Sequence, residues 1–183
     1  MRGYESPNTC ALSLWESVYP PERSAVHIAL TDTFTSDVFF RELKEHPEFA
    51  RRWQGLRQDS GDPITFANDA KKTYDVIGVD THDKVIVFSD SLNLERSLQI
   101  RRDTAHLGFL STGAYLRCYH RLHLSFSASF GVGTFLTNDF KTTSTGQRSK
   151  ALNIVIKLAE INGKPCIKLS DDLGKASLCL FGS

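Results

Sequence analysis

Short apolar runs alternate with amphipathic stretches along most of the chain, and the two periodicities predict different elements. Leu12, Leu14, Trp15 and Val18 predict a helix from Thr9 to Val18, which Pro20-Pro21 ends. The run from Val26 to Leu30 predicts a buried strand that opens into Thr31-Asp32-Thr33. Ser36 to Leu43 predicts a helix with Ser36 as its N-cap and Val38, Phe39 and Phe40 as apolar positions. Gly55 to Arg57 reads as a brief strand, and Ile64 to Ile77 as an amphipathic helix. Lys84 to Phe88 has the clearest strand pattern and ends in Ser89-Asp90-Ser91; Leu92 to Arg102 is again helical. Leu124 to Phe130 predicts a strand that delivers Gly131-Val132-Gly133-Thr134. Near the C-terminus, Leu152 to Leu158 and Cys166 to Leu169 predict two strands joined by a turn at Asn162-Gly163.

Short buried strands alternating with helices imply βαβ units and a parallel sheet, which is an α/β fold. In an α/β barrel, polar residues at the C-terminal ends of the strands share one open face. Here those ends are Thr31-Asp32-Thr33, Arg57-Gln58-Asp59-Ser60, Ser89-Asp90-Ser91 and Gly131-Val132-Gly133-Thr134.

Composition narrows the partners. The 183 residues are 40% hydrophobic and 23% charged, ordinary values for a globular domain. A formal net charge of +1 supplies no global field for nucleic acid or an anionic membrane, so any anion site is local. Cys10, Cys118, Cys166 and Cys179 form no CxxC pair, which fits free thiols in a reducing compartment. No apolar run is long enough to span a bilayer, and no apolar core follows the N-terminal charge as in a signal peptide. Cytoplasm is the expected location, with the nucleus as an additional compartment.

The strand ends carry the candidate chemistry. Arg57 and Asp59 are two apart, so in an extended segment they share a face. A guanidinium binds phosphate or pyrophosphate bidentately, and a carboxylate accepts from sugar hydroxyls or holds a metal. The competing reading is an ion pair that caps the strand. Gly131-Val132-Gly133-Thr134 suits a phosphate through backbone N–H groups and a hydroxyl, although two glycines after a strand also make a plain tight turn. Asp32 and Asp90 read either as site acids or as N-caps in solvated loops. Lys157 and Lys168 lie in apolar runs and either face a phosphate or guard a sheet edge. The six histidines show no metal-ligand spacing, so no protein metal site is expected.

Five segments, in order, resemble the nicotinate phosphoribosyltransferases: Ala29 to Phe34, Gly55 to Pro63 (GLRQDSGDP), Val87 to Asn93, Ser129 to Asp139, and Leu152 to Asp171. The resemblance extends over most of residues 1–183. It implies an irregular α/β barrel of the type II phosphoribosyltransferase kind, here in part, with C-terminal strands from an α+β domain. It also implies an enzyme of NAD salvage that joins nicotinate to the ribose of phosphoribosyl pyrophosphate, driven by ATP through a phosphohistidine and assisted by Mg²⁺. By motif, Arg57 and Asp59 resemble substrate-site residues near ribose and pyrophosphate, and Asp32 resembles an acid of the same network. Ser60, Ser89 and Asp90 resemble residues on the sugar side, and Gly131, Gly133 and Thr134 a cradle for the 5′-phosphate. The family implies a homodimer, with no nucleic acid and no membrane among its partners.

Two departures from the family pattern are expected. The phosphoryl-accepting histidine belongs to a Ser-His-Glu-like segment upstream of this chain, and His27 does not match it. Residues 109–128 have the character of an insertion: a surface loop, a basic contact for RNA or a partner, or translated non-coding sequence. The alternatives to full activity are therefore an inactive phosphoribosyl pyrophosphate-binding fragment or a regulatory partner of a longer subunit. A barrel without its early strands would leave strand edges uncovered, so poor stability in isolation is expected.

Overall fold

The computed structural model describes residues 6–20, 27–109, 129–137, 140–148 and 156–175. Its centre is a parallel sheet in the consecutive order β1 (Ile28–Leu30), β2 (Gly55–Gln58), β3 (Val85–Phe88) and β4 (Ser129–Phe130). The register pairs Ala29 with Leu56, Leu56 with Ile86, and Gln58 with Phe88. Because side chains alternate along a strand, these residues share the face that carries the helices. Leu56, Ile86 and Phe88 are each at most 2% exposed there.

The connections are helical: α2 (Ser36–Glu45) and α3 (Pro47–Arg52) follow β1, α4 (Pro63–Val76) follows β2, and α5 (Leu94–Thr104) follows β3. Helix α2 packs on α4 and α4 on α5, while α1 (Pro7–Val18) lies against α2. Ala67 and Ala70 are fully buried on α4, and their small side chains admit Phe39, Phe40 and Phe66 to the same core. Each such aromatic contributes about 1.5–3 kcal/mol relative to exposure. Gly55 is required by packing, since a Cβ there would lie 2.2 Å from the Val85 carbonyl oxygen. Tyr74 is 1% exposed, and burial raises its phenol above the usual range.

Several expectations are corrected. Ser36 is not the N-cap of α2; that position is Thr35, whose side chain makes no capping bond. Instead Asp171, far along the chain, accepts from the Ser36 N–H at 2.7 Å and from its hydroxyl. Of the apolar positions proposed for α1 only Leu12 is buried, while Leu14, Trp15 and Val18 stand exposed. Lys84 precedes β3 and is buried, donating to the carbonyls of Arg51 (3.0 Å) and Trp53 (2.8 Å) at the end of α3. The Asn162-Gly163 turn forms, with φ of 51° and 70°, but it joins β5 (Glu160–Ile161) to β6 (Lys164–Pro165). Neither residues 156–158 nor Cys166 to Leu169 form a named strand, and 152–155 lie outside the described residues. Positions 124–128 and 110–128 of the proposed strand and insertion also lie outside them. Phe109 itself is core, 4% exposed and packed on Tyr74.

Candidate sugar-phosphate site

All four parallel strands end on one edge of the sheet, and their following residues form a row. Two tiers of polar groups result, one buried and one open.

The buried tier centres on Asp32, two residues past the end of β1 and 1% exposed. Its carboxylate accepts from Lys168 Nζ at 2.9 Å, Ser60 Oγ at 2.7 Å and Ser170 Oγ at 3.0 Å. Burial pushes this carboxyl up, but the Lys168 ammonium and the two hydroxyls outweigh that effect and hold it below the usual value. Ser170 reaches Asp32 from a left-handed backbone at φ 60°, a conformation a non-glycine residue adopts at some cost. Ser60 is 2% exposed, and its hydroxyl also accepts the Asp171 N–H at 3.3 Å. Gln58 sits beneath, donating to the carbonyls of Ser60 and Gly61, which fixes the turn after β2. Asp32 and Ser60 therefore brace the strand ends from behind.

The open tier contains Arg57, Asp59, Ser89 and Asp90. The Arg57 side chain is 47% exposed; its Nε donates to Ser89 Oγ at 2.9 Å and its Nη2 lies 3.6 Å from Asp59 Oδ1. Ser89 Oγ is also within 2.9 Å of the Gln58 carbonyl and 3.1 Å of Asp59 Oδ1. The shared face expected for Arg57 and Asp59 is present, and so is the ion pair weighed against it. A half-exposed guanidinium fixed at one nitrogen by a serine retains a planar edge that can meet an oxyanion.

The glycine loop is split in role. The Gly131 N–H donates to the Phe88 carbonyl at 2.7 Å, so this amide is committed to the sheet. A Cβ on Gly131 would lie 3.3 Å from the Ser89 Cβ, so a larger residue would require Ser89 to give by a few tenths of an ångström. Gly133 is exposed with open space around it, and Thr134 starts the short α6 (Thr134–Thr137).

Of the C-terminal contribution, sequence reasoning singled out Lys168 without its partner and missed Lys175. Lys168 supplies the cation of the buried tier, and Lys175 donates to both the Asp90 carboxylate and the Asp59 carbonyl. The Leu169 N–H donates to the Thr33 carbonyl at 2.8 Å, completing a strap across the ends of β1, β2 and β3. Lys168 was open to two readings and meets a carboxylate; Lys157 donates to the Lys175 carbonyl. Lys175 had no local signal, since it follows a Leu-Gly pair outside any periodic run. His27 is fully buried, stacked on Trp53 at 5.1 Å with Nε2 2.8 Å from the Tyr19 carbonyl, and so takes no part in this face.

These motifs have relatives. The chain is 42% identical over 165 residues to a nicotinate phosphoribosyltransferase of Enterobacter sp. (strain 638), covering 90% of this chain and 34% of that protein. The fold is similar to a nicotinate phosphoribosyltransferase from Porphyromonas gingivalis, with a TM-score of 0.73 and 34% identity over 96% of this chain and 39% of that one. It is also similar to one from Vibrio cholerae, with a TM-score of 0.69 and 32% identity over 92% and 35%. This chain thus spans about a third of the length of the curated relatives it matches. The profile of the nicotinate phosphoribosyltransferase (NAPRTase) family matches residues 3–179, and the chain belongs to that family.

Proposed function

We propose that this chain carries the sugar-phosphate face of a nicotinate phosphoribosyltransferase, acting in the ATP-coupled formation of nicotinate mononucleotide from nicotinate and phosphoribosyl pyrophosphate. The observation that supports it best is the open tier: a half-exposed Arg57 beside Asp59, Ser89 and Asp90 on adjacent parallel strand ends. In this reading Arg57 receives the pyrophosphate, Asp59 and Asp90 accept from the ribose hydroxyls, and Gly133 with Thr134 meets the 5′-phosphate. Asp32 and Ser60 hold the strand ends in place. As the bond at C1′ breaks, negative charge grows on the departing pyrophosphate, and a fixed guanidinium stabilises it most at that moment. Asp59 and Asp90 are hard oxygen donors of the kind that hold Mg²⁺ through one or two carboxylates. Bound there with the substrate's phosphates, Mg²⁺ would neutralise their charge.

In the same proposal the four consecutive parallel strands are a sector of an α/β barrel, because such barrels add neighbouring strands in sequence order. The family's homodimer belongs to it as well. A second reading uses the same open tier: binding of phosphoribosyl pyrophosphate without turnover.

The test is ATP-dependent formation of nicotinate mononucleotide by the purified chain, alongside calorimetric titration of phosphoribosyl pyrophosphate. Turnover abolished by Arg57→Ala supports the first reading. Arg57-dependent binding without product supports the second. Absence of both turnover and binding refutes the site.

A further inference from the structure

The strap ends on a lysine that is unusually well fixed for a residue near the surface. Its base is anchored three times: Lys168 and Ser170 bind Asp32, the Leu169 N–H binds Thr33, and Asp171 accepts from Ser36 while its own N–H donates to Ser60. A 3-10 turn, Leu173–Lys175, follows, capped by Asp172, which accepts from the Gly174 N–H at 2.8 Å and the Lys175 N–H at 2.9 Å. Lys157 then donates to the Lys175 carbonyl. With its backbone held on both sides, Lys175 extends its ammonium to two acceptors from different strand ends: the Asp59 carbonyl after β2 and the Asp90 carboxylate after β3.

We propose that Lys175 is a positioning residue for the sugar-phosphate site, setting the spacing of the Asp59 and Asp90 strand ends across which Arg57 and Ser89 meet. The inference rests on the functional reading above. The geometry carries it in two steps. Asp59 and Asp90 approach the same Ser89–Arg57 pair, Asp59 through its contact at 3.1 Å to Ser89 and Asp90 as the next residue in the chain. One ammonium that pairs with the Asp90 carboxylate and donates to the Asp59 backbone carbonyl ties the two loops to each other and offsets the negative charge of Asp90 beside them. Lys175 is 33% exposed and Asp90 19%, so the contact is partly shielded from water and constrains more than a fully solvated pair would.

A double-mutant cycle tests this, read by calorimetric titration of inorganic pyrophosphate with Mg²⁺ present. Lys175→Met keeps the aliphatic stem, and Lys175→Arg keeps the charge. Lys175→Met is expected to weaken pyrophosphate binding about three- to tenfold, and Lys175→Arg to restore most of it. In an Asp90→Asn background the same Lys175→Met change should cost less than about twofold, because a residue that acts through Asp90 has nothing left to position. An unchanged affinity in Lys175→Met overturns the proposal. A loss of equal size in the Asp90→Asn background also overturns it, because Lys175 would then act on the anion directly. If the wild-type chain does not bind pyrophosphate, the functional reading itself has failed. The melting temperatures of the same four proteins separate that case: coupling between positions 175 and 90 upholds the spacing role, and additivity overturns it.

Discussion

Lys168→Met should be among the most damaging single substitutions in the described part of the chain, because it leaves a carboxylate buried without its cation. Asp32 is 1% exposed, and Lys168 Nζ lies 2.9 Å from one of its oxygens and 2.8 Å from the other. Removing one partner of a buried ion pair costs about 3–5 kcal/mol. Two features favour the lower end here. The Lys168 side chain is 20% exposed, and the Ser60 and Ser170 hydroxyls still donate to the stranded carboxylate. The expected loss is therefore about 3 kcal/mol. The opposite deletion, Asp32→Asn, should cost less, because the lysine stem lets the ammonium move outward to water. The double variant should recover much of the single Lys168→Met loss, since no unpaired charge remains. The assay is denaturant unfolding at one fixed concentration of trimethylamine N-oxide, which raises the stability of every variant by burial-favouring exclusion. A loss below about 1 kcal/mol in Lys168→Met, or a double variant no better than that single one, would refute the reasoning.

The same carboxylate gives a pH signature. Asp32 titrates below its unfolded value of 3.8, so its contribution is full above that pH and is lost as pH falls through the lower folded value; an acid unfolding midpoint that Asp32→Asn leaves unmoved would contradict this. Lys84 gives a slope of the same sign in the alkaline range: burial lowers its pKa below 10.5, so stability should rise as pH climbs from the folded value towards 10.5, and Lys84→Met should remove that rise in alkaline melts. Gly55→Ala should cost at least about 2 kcal/mol, because its Cβ would sit 2.2 Å from the backbone oxygen of Val85; a melting temperature equal to wild type would show that β2 and β3 pack less closely than described. Gly163→Ala, at φ 70° in open space, should cost about 1 kcal/mol, read by the same melts.

The sheet and its helices were legible because period and burial agree there. Val85 to Phe88 is a continuous apolar run and is a central strand; Ile64 to Ile77 has a helical period and differs from α4 by a residue at each end. The strand-end positions could be read because chain direction alone places them: Arg57, Asp59 and Ser89 meet directly, and Lys175 joins Asp90 to the Asp59 carbonyl. What escaped depends on contacts across more than 80 residues. Ser36 has the chemistry of an N-cap, but a second carboxylate, Asp171, supplied the acceptor and let the helix begin one residue earlier. Asp32 and Asp90 look alike in sequence, yet one is sealed under Lys168 and two serines while the other stands in the open tier. α1 misled for a related reason: its apolar spacing is genuine, but the described part of the fold covers only Leu12.

On the proposed function, the division into two tiers lets a nearly neutral chain present an anion site. Asp32, Asp59 and Asp90 together would make these strand ends strongly negative and hostile to a polyphosphate. Arg57 alone could not reverse that. Lys168 and Lys175, both delivered by the strap, each meet one of these acids directly, while the strap's own acids, Asp171 and Asp172, accept from Ser36 and from the Gly174 N–H instead. The placement of the two lysines is unequal in a useful way. Lys168 is used up by the buried Asp32, whose charge then contributes little outward, and Lys175 is spent between Asp59 and Asp90. Arg57 is left as the half-exposed cation whose carboxylate contact is the loosest of the three, at 3.6 Å to Asp59. An arriving anion would compete with the weakest internal contact, so the proposed site predicts an affinity governed by the chain segment that neutralises its acids as much as by the arginine it presents.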